Sequence, residues 1–400
     1  MRIPSNRDFT RITPSAFTYH RLKSYVSDCR AVLLPSFGGP HLLQLRSHVP
    51  VPPLKSHDVL VRARAVSVNP LDTRMRAGYG RSIFERLLPI ILGRDVSGEV
   101  AAVGDKVRLV SVGEQVFGAL HPTAVRGTYA DYAILSEEEV TPKPDSLTHV
   151  EASAIPFAAL TAWRALKSTA RISEGQRILV VGGGGAVGLS AVQFAVAAGC
   201  SVVTTCGSQS VDRLLAAGAE QAVDYIAEVV WNLLCVTFPV NCSNISIMTN
   251  IAIEVFQTTM HNILDVELAI KGKFDAVLDT IGMPETERMG INFLKRGGHY
   301  MTLQGEAASL SDRYGLIIGL PAATAVLLKK QLLYRFSHGI EYSWTYMRDD
   351  LEGLTEIRKL CEAGKMKIPV YKTFPIAQVK EAHEAKDKKL IPGKVVLEID

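Results

Sequence analysis

The segment Arg177–Val181 runs directly into Gly-Gly-Gly-Gly-Ala-Val-Gly188 and then into the apolar, Ala-rich stretch from Leu189 to Ala198. A short aliphatic run of this kind reads as a buried parallel strand, the glycines as a tight turn, and the Ala-rich stretch as a helix whose first N–H groups face that turn. Together they predict a Rossmann βα unit with room for a pyrophosphate at the helix N-terminus. The pattern G-x-G-x-x-G, here Gly183, Gly185 and Gly188, is weak by itself and gains its weight from the strand before it and the helix after it. A plain glycine-rich turn is the alternative.

The residues beyond this helix discriminate between dinucleotides. Ser201–Thr205 predicts a second strand, and Cys206, Gly207 and Ser208 stand where an NAD site places a carboxylate for the ribose 2′-OH. No carboxylate is there. Hydroxyls and a cation suit a 2′-phosphate, so Ser208 and Arg213 favour NADPH, with a merely solvated Arg213 as the competing reading.

The chain has 400 residues, more than one core requires, with 47% hydrophobic and 21% charged residues. Collagenous, disordered and low-complexity classes are excluded. Residues 1–30 hold six Lys/Arg against Asp8 and Asp28, which leaves the rest balanced at 38 against 38. Nucleic-acid binding therefore has no support. The basic start lacks an apolar h-region and predicts a transit segment over residues 1–28, for a mitochondrial location, with chloroplast or cytoplasm as alternatives. An unaddressed tail is the other reading. Six cysteines without paired spacing argue against a disulfide framework.

From Cys29 the chain reads as short strands and turns, at Cys29–Leu34, Leu42–Leu45, Val59–Ala65, Val96–Val103, Gly113–Gly118 and Tyr129–Ile134. Residues 154–170 turn helical. The strands Phe274–Asp279 and Gly298–Thr302, a helical stretch over 349–364 and the strands Val370–Phe374 and Lys394–Ile399 come after. The expected division is a β-rich domain over 29–150, joined again by 365–400, and a nucleotide domain over 151–364. Tyr314–Leu328, broken by Pro321, predicts a buried helix, with Leu332–Phe336 as the strand after it.

This order of motifs resembles the zinc-free quinone oxidoreductases of the medium-chain dehydrogenase/reductase superfamily. Gly175-Gln176, Leu179, the glycine loop and Gln193 echo their signature, with Ala186 where that family usually has Gly. Ser67–Asp72, Met75–Gly80, Leu92–Gly98 and Tyr342–Trp344 look most like its mitochondrial reticulon-4-interacting group. The resemblance implies an α/β protein, with an N-terminal GroES-like β-domain against a Rossmann domain of doubly wound parallel sheet and the cofactor in the cleft between them. By the same resemblance Gly184, Gly185, Ala186, Val187 and Gly188 would meet the pyrophosphate. Gly207, Ser208, Arg213 and Tyr225 would lie by the adenosine phosphate, and Thr280 and Leu303 by the nicotinamide ribose. Lys394 matches the family's Gly-Lys contact, while Pro392 departs from its relatives; for the run Tyr314–Leu328 the resemblance suggests, as the alternative to a buried helix, a surface that admits a polyprenyl quinone tail.

Zinc-using members place a Cys where Asn69 stands and Gly-His-Glu where Gly93, Arg94 and Asp95 stand. No metal site is expected. Without a Lewis acid, hydride goes most readily to an acceptor already activated, a quinone or a conjugated carbonyl or alkene. The protein must then position the acceptor and supply a proton. Tyr79 is the expected donor, with a loop-capping role as its alternative. Asn69 is expected to orient the nicotinamide ribose or the substrate carbonyl, and Asp72 to pin the loop. Arg94 either polarises a carbonyl or makes an internal ion pair. An enoyl thioester reductase and a non-catalytic NADPH-binding protein are the rival functions.

The stretch Val229–Leu264 has no place in the family's pattern. It holds one charged residue, Glu254, no glycine and no clean periodicity. A retained intron or gene-model error and a genuine insertion both fit. As partners, a small-molecule quinone or enone, a second copy of the chain and a membrane surface remain open.

Overall fold

The computed structural model describes residues 26–225, 266–388 and 393–400. The stretch Val229–Leu264, Pro392 and nearly all of the expected transit segment lie outside the described residues.

The short-strand half folds as β1 (Asp28–Leu34), β2 (Gln44–Pro50), β3 (Asp58–Val68), β4 (Ile90–Ile91), β5 (Asp95–Val103), β6 (Gln115–Ala119), β7 (Tyr132–Ser136) and β8 (Val140–Pro142). The nucleotide half contributes β9 (Arg177–Val181), β10 (Ser201–Cys206), β11 (Gln221–Asp224), β12 (Phe274–Asp279), β13 (Leu294–Thr302) and β14 (Glu341–Trp344). The chain then returns as β15 (Val370–Pro375) and β16 (Lys394–Glu398).

In the nucleotide half the order is β11-β10-β9-β12-β13-β14 and every pairing is parallel. This is a doubly wound sheet. Because helices cover both faces, β9 and β10 are buried over nearly their whole length, Ile178 to Val181 and Val202 to Cys206. The other half orders its main sheet β15-β16-β3-β5-β6-β8, with β7 also on β3, and a small sheet β2-β1-β4. The last strand thus completes the first sheet: β16 pairs antiparallel with β3, Val395 opposite Val68. The helix Pro156–Trp163, continued by a π turn over Arg164–Thr169, leads from one half to the other.

Two local expectations change. The first hairpin begins later than Leu42, because Pro40 starts a 3-10 turn over Pro40–Leu42 and the strand forms from Gln44. The apolar run is not a buried helix followed by a strand. Leu316–His338 is one helix of 23 residues in which only Gly319 and Ala323 are buried, and the edge strand is β14. Pro321 sits in its second turn, where the missing N–H removes one bond, to the Ile317 carbonyl, without ending the helix. The Leu, Lys, Gln and Arg after it favour helix, and Gly339 ends it at φ +68°.

Candidate active site

The strands of the doubly wound sheet end level with one another. Val181 is opposite Thr205 and Asp279, and Asp279 is opposite Thr302, so the loops after β9, β10, β12 and β13 form one row. The strand order reverses between β9 and β12, which opens a crevice at their carboxyl ends.

The glycine loop stands at that point. Gly182 turns with φ +85°, and a Cβ on Gly188 would overlap the Gly182 carbonyl, so this glycine brings the helix Ala186–Ala197 onto the turn. Within that helix the first intrahelical bond is Leu189 N to Gly185 O at 2.8 Å. The amides of Ala186, Val187 and Gly188 precede it and are those a helix start offers to an anion. Beside Gly185 a Cβ would meet only the Gly182 carbonyl, at 3.8 Å. The cradle therefore fits a dinucleotide pyrophosphate.

Around it the structure assembles several of the expected residues. Arg213 Nη2 donates to Gly184 O at 2.9 Å and to Ser210 Oγ at 3.1 Å, which brings its guanidinium to the loop. Ser208 is exposed at the start of the adjoining 3-10 turn, after Gly207, and the buried hydroxyl near Arg213 is that of Ser210. Tyr225 is 43% exposed and its N–H donates to Cys206 O at 3.1 Å, at the same end of the sheet. Thr280 closes the turn by donating Oγ1 to Val181 O at 2.9 Å, and Leu303 N donates to Asp279 O at 3.3 Å.

Sequence reasoning missed Asp279. Its buried carboxylate accepts from Ile281 N (2.8 Å), Gly282 N (2.9 Å), Thr286 Oγ1 (2.7 Å) and Tyr300 Oη (2.7 Å), fixing the loop after β12. A strand-ending Asp two and three residues before those amides is the signal that could have found it.

On the opposite wall, Tyr79 lies half-buried in the turn between the helices Pro70–Arg76 and Arg81–Phe84. Asp312 holds that turn across the cleft, accepting from Gly80 N at 2.7 Å and Ser82 N at 2.9 Å. Arg74 Nη1 donates to Gln304 Oε1 at 3.1 Å, linking the same turn to the loop after β13. Burial raises the Tyr79 pKa, Arg74 opposes the rise and Asp312 adds to it. The phenol is therefore protonated at neutral pH and able to donate.

Three expected site residues have other partners. Lys394 donates to Ser67 Oγ (2.8 Å), Asn69 Oδ1 (2.7 Å) and Asp95 Oδ2 (2.8 Å), and it is 1% exposed. All three ammonium protons are thereby satisfied inside the fold, not at the dinucleotide. Asn69 also donates Nδ2 to Asp95 Oδ2 at 2.8 Å, so its amide orients the buried Lys394–Asp95 pair. Arg94 is fully buried and donates to the carbonyls of Gly93 (2.8 Å), Pro122 (3.0 Å) and Ala124 (3.2 Å). Its guanidinium braces main chain and cannot polarise a carbonyl in the cleft. Asp72 receives Asn69 N at 2.7 Å and Gly93 N at 3.1 Å, joining the two loops that carry Asn69 and Arg94.

Lys386 also belongs to this neighbourhood. Burial, then Lys394, pull its ammonium down to about 8 against the opposing charge of Asp72.

Comparison with known proteins agrees with this geometry. Residues 55–145 match the alcohol dehydrogenase GroES-like domain family and residues 255–397 the zinc-binding dehydrogenase family. The chain is 31% identical over 389 residues to the mitochondrial NAD(P)H oxidoreductase RTN4IP1 of Danio rerio, covering 92% of this chain and 91% of that protein. It is 38% identical over 187 residues to the quinone oxidoreductase of Homo sapiens, covering 46% and 55%. The quinone oxidoreductase from Coxiella burnetii superposes with a TM-score of 0.71 at 25% identity, over 93% of this chain and 100% of that one. The chain belongs to the medium-chain dehydrogenase/reductase superfamily, in the family of the RTN4IP1 NAD(P)H oxidoreductases, and is an NAD(P)H-dependent oxidoreductase.

Proposed function

We propose that the protein takes NADPH as its reductant and passes hydride, without zinc, to a quinone or another conjugated carbonyl or alkene. The observation that carries the acceptor class is the chemistry of the buried cluster around Asn69. Where zinc-using members place Cys and His, this chain has an amide engaged by Lys394 and Asp95 and a guanidinium engaged by carbonyls. Neither side chain is a good metal ligand. An acceptor that needs no Lewis acid is then the one this site can serve, and the similarity to proteins named quinone oxidoreductase supports it.

NADPH is favoured over NADH by Arg213 at the Gly184 carbonyl and by the run Cys206-Gly207-Ser208, which ends β10 without a carboxylate. When bound, NADPH supplies the hydride. The amides of Ala186, Val187 and Gly188 hold its pyrophosphate, and Thr280 and Leu303 line the crevice where its nicotinamide half would lie. Tyr79, held by Asp312 through the neighbouring Gly80 and Ser82 amides, gives the proton to the reduced acceptor's oxygen. The basic N-terminus, together with the relatives named mitochondrial, supports a mitochondrial location.

The test is NADPH oxidation by the purified protein with a short-chain ubiquinone, an enone and a crotonyl thioester in parallel. Turnover with quinone or enone is expected. Turnover with the thioester alone would make the protein an enoyl thioester reductase, and none with any acceptor a non-catalytic NADPH binder.

A further inference from the structure

Arg74 reaches across the cleft from the helix Pro70–Arg76, and its Nη1 donates to Gln304 Oε1 at 3.1 Å. Gln304 follows Leu303 in the loop after β13, and its side chain lies so close to Gly282, in the loop after β12, that a Cβ there would overlap it. The guanidinium thus stands over the two loops that carry Thr280 and Leu303. Tyr79 is its neighbour in the turn: Tyr79 N donates to Arg74 O at 2.9 Å, and the Arg74 charge opposes the rise of the phenol's pKa. One exposed cation therefore stands beside both the crevice and the proposed proton donor.

The neighbourhood does not neutralise that cation. An arginine has five N–H donors, and Gln304, the partner of one of them, is uncharged. Among the described residues no carboxylate pairs with Arg74. Asp312, the acid that faces the same turn, gives its two oxygens to the Gly80 and Ser82 amides. Two more arginines border the turn: Arg81, which lies beside Gly78 and over the Phe37 ring at 5.5 Å, and Arg313, next to Asp312 and over the Tyr314 ring at 5.2 Å. Neither pairs with a carboxylate among the described residues. A wholly neutral acceptor entering here would strip water from Arg74 and return nothing for it. A planar carboxylate instead matches the guanidinium fork with two parallel hydrogen bonds.

We propose that Arg74 selects the acceptor: the conjugated carbonyl compound reduced at this site carries a carboxylate, which the guanidinium receives while Gln304 keeps it in place. The inference rests on the reductase reading above and adds to it the charge of the substrate. The carboxylate takes no part in the chemistry. It fixes the acceptor at a second point beside Tyr79, which meets the carbonyl oxygen.

NADPH oxidation is followed with 4-oxo-2-pentenoate and with its methyl ester, which share one enone and differ in charge. In parallel, 2-naphthoate and 2-naphthamide are titrated onto the NADP+-loaded protein by their fluorescence, which needs no turnover. The unaltered protein is expected to bind 2-naphthoate the more tightly. Arg74→Met is expected to lower kcat/KM for the acid about tenfold or more beyond any change for the ester, and to weaken 2-naphthoate by a like factor beyond 2-naphthamide. Arg74→Lys, which keeps the charge and loses the fork, should fall between. Circular dichroism shows that each variant is folded. Equal losses for acid and ester overturn the proposal and make Arg74 a strut between the two walls of the cleft. If neither the acid nor its ester is reduced, it is the reductase reading that fails, and the naphthyl pair decides the rest: a preference for 2-naphthoate that Arg74→Met removes upholds the carboxylate site, and no preference overturns it.

Discussion

Lys394 Nζ lies 2.8 Å from Asp95 Oδ2 with both side chains closed to solvent. Removing one partner of such a pair leaves a charge that neither water nor a counter-ion can reach, which costs about 3–5 kcal/mol. Lys394→Met is expected to destabilise the protein by that order in urea unfolding, with NADPH affinity of the folded fraction changed little. Lost NADPH affinity at unchanged stability would return Lys394 to the cofactor.

Arg213 gives the second prediction. A charge-assisted contact to a 2′-phosphate contributes about 1.5–3 kcal/mol, so Arg213→Ala is expected to raise the NADPH dissociation constant about tenfold or more. NADH affinity should be unchanged in the same fluorescence titration. An equal loss for both would mean that Arg213 acts by holding the glycine loop through Gly184 O.

Tyr79→Phe removes the proposed proton donor and leaves the ring that fills the turn. Turnover of an enone or quinone is expected to fall by about a hundredfold while NADPH affinity stays as it was. Unaltered turnover would assign the proton to solvent and Tyr79 to the loop.

The fourth prediction concerns acid. Arg76 Nη1 approaches His383 Nδ1 at 3.1 Å, and because an arginine only donates, that nitrogen accepts and the buried ring is neutral. Burial, then the Arg76 charge, pull its pKa from 6.5 down to about 3. Between those values the unfolded chain binds a proton that the folded chain refuses. Stability therefore falls as pH falls from about 6.5 toward 3, by about 2 kcal/mol for this residue at pH 5. Urea midpoints at pH 7 and pH 5 should differ less in His383→Gln by that amount. An identical pH dependence in the variant would rule His383 out as its source.

The parts of the fold that were legible in the sequence are those whose cause is local. The glycine loop from Gly182 to Gly188 shows itself because strand, turn and helix adjoin, and Cys206-Gly207-Ser208 can be read by its position after β10 alone. The partners of Lys394 could not be read so, since Ser67, Asn69 and Asp95 come from segments about three hundred residues earlier and meet it only when β16 pairs with β3. Arg94 misled for the same reason, because carbonyl partners leave no mark in a sequence. The helix at Leu316–His338 misled differently. Apolar composition predicts burial only when the rest of the chain supplies something to cover the residues.

Asp95 has two more partners: its Oδ2 accepts from Ser67 Oγ, and its Oδ1 accepts the amide of Phe157 at 2.6 Å, in the first turn of the helix that leads into the nucleotide domain. One carboxylate thus waits for donors that leave the ribosome at widely separated times, and the cation that balances it, Lys394, is made about three hundred residues later. Until then the first sheet lacks β16 and would enclose an uncompensated charge. The N-terminal half consequently cannot complete its core until β16 has been made, and a nascent chain stopped before β16 should be held open as a substrate for chaperones.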